Sequence, residues 1–122
     1  MRIIVYGSLR RKQGNSHWMT NAQWLGDCQL AGFELYDLGH YPAVVPGDGE
    51  IHCEVYRISS SILTELDALK RDGHEYQREL IRTPLGSAWI YLYKHPVVGL
   101  TRIASGDWLK RSEEDEEDEE EA

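Results

Sequence analysis

Ile3-Ile4-Val5 is an uninterrupted β-branched run, and it predicts a short buried strand at the start of the chain. Gly7 breaks that strand, since a residue without Cβ admits a sharp turn or a close backbone approach. Asn15 and Ser16 offer caps for a short helix over 17–23, with Trp18 as a core anchor. Residues 24–30 and 33–36 turn strand-like. In the second piece Phe33 and Leu35 alternate with Glu34 and Tyr36, the period of a half-buried strand. Residues 39–49 carry two prolines and three glycines and predict a loop. Residues 51–58 alternate again, with Ile51, Cys53 and Val55 on one face and His52, Glu54 and Tyr56 on the other.

Ser59-Ser60-Ser61 supplies an N-cap for a helix that runs to about Arg71. Ile62, Leu63, Leu66 and Leu69 form its expected buried stripe, and Asp72-Gly73 ends it. A strand over 75–82, a turn at 84–87 and a strand over 88–93 read as a hairpin. Residues 100–109 carry Ile103 and Trp108 and predict a closing segment packed on the body. Five or six strands and two helices suit an α+β domain built on a curled sheet or a small barrel. Periodicity does not choose between those two.

Charge sharpens the domain boundary. The chain has 122 residues and a net charge of −8, yet 113–121 are nine consecutive acids. Without them 12 acids face 13 bases, so the body is nearly neutral. We therefore read 1–111 as one folded domain and 112–122 as a disordered acidic tail, which repels itself and has nothing to bury. The tail is an expected solubiliser, or else a contact for a basic partner. A balanced body argues against nucleic-acid binding. No apolar run reaches membrane-spanning length, and no apolar signal region precedes the first strand, so the expectation is a cytoplasmic protein off the membrane. Cys28 and Cys53 lack metal-ligand spacing and read as buried small hydrophobes rather than a bridge.

Little chemistry is spelled out by motif. Ser8 with His40 or His52 is a conceivable nucleophile pair, but nothing positions the partners and no G-x-S-x-G elbow exists. Cys53 beside His52 points to the opposite face of its strand. The five histidines form no H-x-x-x-H pair and no phosphate-binding glycine loop occurs, so neither a metal nor another cofactor is expected. What remains is a glycine turn with backbone donors and a carboxylate beyond the long helix, Asp72 or Glu75. That combination suits proton transfer at a carbonyl, with the turn holding an oxyanion.

Val5-Tyr6-Gly7-Ser8-Leu9 resembles the opening motif of the γ-glutamylcyclotransferase-like family. The likeness continues through Leu35-Tyr36-Asp37-Leu38-Gly39, Tyr41-Pro42-Ala43, Glu54-Val55-Tyr56-Arg57-Ile58, Leu66-Asp67, Tyr76-x-Arg78 and Ala88-Trp89-x-Tyr91. Gln13-Gly14-Asn15-Ser16-His17-Trp18 and Ser105-Gly106-Asp107-Trp108-Leu109 are similar to segments of its short bacterial members. The resemblance implies a small mixed β-barrel of about six strands flanked by two or more helices. It also implies a small-molecule γ-glutamyl substrate whose α-amine attacks its own γ-carbonyl, releasing 5-oxoproline. By the same carry-over, Tyr6, Gly7, Ser8 and Leu9 bind the γ-glutamyl group. The family places its catalytic glutamate three residues after the aspartate of Leu66-Asp67, and that position is Lys70 here. Glu75 is then the expected general acid/base, with Asp72 the second candidate. The alternative is a binding module that keeps the pocket without the base. Cys53 also departs from the glycine that commonly precedes Glu-Val-Tyr.

Overall fold

The structure is a computed structural model and describes residues 1–70 and 73–111. Asp72 and the acidic stretch 112–122 lie outside the described residues. Among the described residues the strands are β1 (Arg2–Val5), β2 (Gln23–Asp37), β3 (Pro42–Arg57), β4 (Tyr76–Thr83), β5 (Gly86–Tyr93) and β6 (Thr101–Arg102), with one α-helix, α1 (Ser60–Leu69). They form one sheet in the order β4-β5-β1-β3-β2-β6, curled into a half-barrel. β1 pairs parallel with β5 and antiparallel with β3, which makes the sheet mixed.

The β-branched start of the chain is the centre of this sheet. Alternate residues of β1 point to opposite faces, and both faces are covered. Ile4 packs with Leu35, Val44, Ile51, Val55 and Trp108. Ile3 and Val5 pack with Leu9, Met19, Tyr91 and the helix residues Ile62, Leu63 and Leu66. Ser59 caps α1 by accepting from the Ile62 N–H at 3.3 Å. The expected helical stripe is one residue too long. Leu69 is 37% exposed, because the last turn of α1 overhangs a surface cavity instead of the sheet.

Two other expectations change. Residues 39–49 are mostly strand, not loop: the turn is confined to Leu38–Tyr41, closed by Leu38 N–H donating to the Tyr41 carbonyl at 2.9 Å. Pro42 opens β3, and Pro46 sits beside the ladder irregularity between Ala31 and Phe33, two places where a missing N–H is tolerated. At Gly47 the Glu34 carboxylate lies over the backbone in the space a Cβ would fill. The two pieces 24–30 and 33–36 are accordingly one long strand, slipped near Gly32. The helix expected over 17–23 is only a 3₁₀ turn, Ser16–Met19. Asn15 makes no capping bond to it; its side chain is used elsewhere.

Candidate active site

After β1 the chain passes over Gly7 and doubles back. A Cβ on Gly7 would overlap the Pro42 ring, so the Tyr6-Gly7-Ser8 and Tyr41-Pro42-Ala43 motifs are two halves of one contact. Arg10 N–H donates to the Gly7 carbonyl at 3.0 Å, and Asn15 N–H to the Ser8 carbonyl at 2.9 Å. The Asn15 side-chain amide donates to Ser8 Oγ at 3.0 Å. Among the described residues, the Ser8 and Leu9 backbone amides donate to no protein acceptor. Two backbone donors without a protein acceptor therefore stand at the bend, and donors of that kind can serve an oxyanion or carboxylate.

Buried charge holds this loop from below. Arg10 Nε donates to Glu54 Oε2 at 3.0 Å, and its terminal nitrogen to Asp107 Oδ1 at 2.9 Å. Glu54 Oε1 also accepts from Arg11 N–H at 3.0 Å and from the Tyr56 hydroxyl at 2.8 Å. Arg10, Glu54 and Asp107 are all buried.

Above the loop lies a cavity of about 320 Å³ lined by Ser8, Leu9, Asn15, Leu38, Tyr41, Leu69, Lys70, Glu75 and Tyr76. Three of the residues expected at the site, Ser8, Leu9 and Glu75, share it. Tyr6 and Gly7 sit one layer deeper, in a small void bounded also by Ser8, Leu9 and Lys70. Tyr6 is almost fully buried and donates its hydroxyl to the Tyr91 carbonyl at 2.6 Å. Burial pushes that hydroxyl's pKa well up, so it stays protonated. Tyr76 is fixed the same way, its hydroxyl donating to the Pro42 carbonyl at 2.7 Å.

Lys70, at the position where the resemblance places the family's glutamate, also lines the cavity. It is the C-cap residue of α1, and its ammonium lies 5.3 Å from the Tyr6 ring centre and 4.8 Å from that of Tyr76. No carboxylate pairs with it among the described residues. Burial lowers its pKa from 10.5 to about 8. Two aromatic faces partly replace the water it has lost.

Other residues of the recurring motifs brace the walls. Asp67 receives a two-pronged contact from Arg78, at 2.9 and 3.1 Å, and the Tyr91 hydroxyl at 2.7 Å. That ties α1 to β4 and β5 beside the cavity. The nucleophile scheme finds no support, since the Ser8 hydroxyl is met by Asn15, while His40 is exposed and the His52 ring faces Gln29. Asn15, Leu38, Tyr41 and Tyr76 were not singled out from sequence as lining residues, although each falls inside a quoted motif. No group of three or more metal-ligating side chains occurs among the described residues. No helix among them is long and apolar enough to cross a membrane.

The chain belongs to the γ-glutamyl cyclotransferase, AIG2-like family, whose family model matches residues 3–110, and that membership places it in a cyclotransferase class of enzyme. Among its relatives is the γ-glutamylcyclotransferase family protein YtfP of Escherichia coli K12, 65% identical over 111 residues that cover 91% of this chain and 98% of that one. The solution NMR structure of E. coli ytfP matches with a TM-score of 0.77 at 64% identity, over 92% of this chain and 99% of that chain. The crystal structure of an uncharacterised Pyrococcus horikoshii protein gives a TM-score of 0.83 at 27% identity, over 96% and 97%.

Proposed function

We propose that this chain cyclises a γ-glutamyl compound, releasing 5-oxoproline and an amine or amino acid. The supporting observation is that the bend donors, Lys70 and Glu75 line a single cavity. The substrate's α-amine attacks its own γ-carbonyl carbon, forming the ring C–N bond. The carbonyl oxygen takes up negative charge and is held by the Ser8 and Leu9 amides. Glu75 accepts the proton that the attacking nitrogen sheds and passes a proton to the departing nitrogen as its C–N bond breaks. Because both reacting groups belong to one molecule, much of the rate gain comes from holding the folded conformer. Tyr6 and Gly7 shape the floor, and the Lys70 ammonium supplies the positive charge for the substrate's α-carboxylate.

The test is 5-oxoproline release from a panel of γ-glutamyl dipeptides and γ-glutamyl-lysine. We expect turnover by the wild type and a fall in kcat of about 100-fold or more in Glu75→Gln, with the fold intact by circular dichroism. Equal turnover by Glu75→Gln removes Glu75 as the acid/base. Binding without any turnover across the panel favours the alternative of a non-catalytic γ-glutamyl receptor.

A further inference from the structure

Cys28 and Cys53 stand directly opposite each other on β2 and β3. Their Sγ atoms are 3.1 Å apart, and both thiols are free. Residues opposite each other in an antiparallel pair have Cα atoms roughly 4.5 or 5.5 Å apart, and both spacings fall within the range a disulfide spans. Bond formation needs the two sulfurs to close by only about 1 Å. The two thiols also differ in access. Cys53 is buried, whereas Cys28 is half-buried, and both border a surface hollow with Arg10, Asp27, Gln29 and His52. Burial and the neighbouring thiol raise the Cys53 pKa, and the Arg10 guanidinium partly opposes the rise.

We propose that Cys28 and Cys53 form a reversible internal disulfide, a modification site separate from the γ-glutamyl cavity, with a low-molecular-weight disulfide as oxidant. The Cys28 thiolate attacks one sulfur of the oxidant, making a mixed disulfide and expelling one thiolate. The Cys53 thiolate then attacks Cys28 Sγ, closing the internal bond and expelling the second. Two protein thiols are oxidised by two electrons, the oxidant becomes two thiols, and the two protons pass to the departing thiolates. The staple lies one residue before Glu54, the anchor of the loop that carries Ser8 and Leu9.

The test treats the reduced full chain with bis(2-hydroxyethyl) disulfide, which carries no γ-glutamyl group. Thiols are counted after denaturation and the intact mass is read. The expected wild-type result is loss of both thiols, a mass lower by about two hydrogens, no adduct, and full reversal by dithiothreitol. Cys53→Ser should stall with the reagent attached to Cys28. Cys28→Ser should leave Cys53 unreacted in the folded chain. A lasting adduct on wild-type Cys28, a covalent dimer, or two thiols that react only after unfolding each overturns the proposal.

Discussion

Lys70 shows how one residue changes character between sequence and structure. In the sequence it stands where the family carries its catalytic glutamate, a position where the resemblance implies a side chain facing the pocket. Here it lies against Tyr6 and Tyr76 with a lowered pKa. Neither ring is adjacent to it in sequence, so no local pattern could announce that two aromatic faces enclose it. The consequence for stability has a definite sign. Below pH 8 the lysine is charged both folded and unfolded, and the folded state bears the full desolvation penalty. Between about 8 and 10.5 the unfolded chain binds more protons, so this group's contribution rises with pH; above 10.5 the penalty is gone. Lys70→Met should therefore be more stable than wild type at pH 7, by a margin that shrinks towards pH 10. Urea denaturation of both proteins at the two pH values measures it, and a margin independent of pH would refute the buried-charge account.

At the scale of elements, the site is a loop pinned between two strands. The central strand was legible because three successive β-branched residues allow little else. The α1 cap was legible because Ser59 precedes an apolar run. The β2–β3 ribbon was not, because its prolines sit at the strand start and beside a ladder irregularity, places that only the cross-strand register reveals. Glu54 likewise looked like the polar face of an alternating strand, yet it is buried and anchors Arg10, Arg11 N–H and Tyr56 together. Removing one member of such a group leaves an undercompensated buried charge. Glu54→Ala should cost about 3 kcal/mol of unfolding free energy, the lower end for a broken buried pair, since Arg10 keeps Asp107. The same variant should raise KM for a γ-glutamyl substrate, because the bend donors lose their support. Denaturant titration and steady-state kinetics check the two effects, and unchanged values in both would leave the network without a role.

Across the whole molecule, the far end of the chain returns to support the near end. Asp107 pairs with Arg10, Trp108 is fully buried in the cluster that holds Ile4, and the Gly106 carbonyl accepts the His52 N–H at 2.8 Å. The sequence marked residues 100–109 as a closing segment from Ile103 and Trp108, but it did not reveal that the closure runs through the loop beneath the cavity. Arg10 of that loop and Asp107 are 97 residues apart in the chain, so no local pattern links them. The folded unit should therefore end just before the acids begin. A chain stopped after Arg111 should keep its melting temperature within about 2 °C of wild type, a shift below roughly 1 kcal/mol for a domain of this size. A chain stopped after Gly106 loses both Asp107 and Trp108, and burial of an aromatic that large is worth about 3–5 kcal/mol by truncation to alanine. It should lose cooperative unfolding or melt far lower. Calorimetry on the two truncations decides the boundary: a large destabilisation by the first would mean that the acidic stretch is itself part of the folded body.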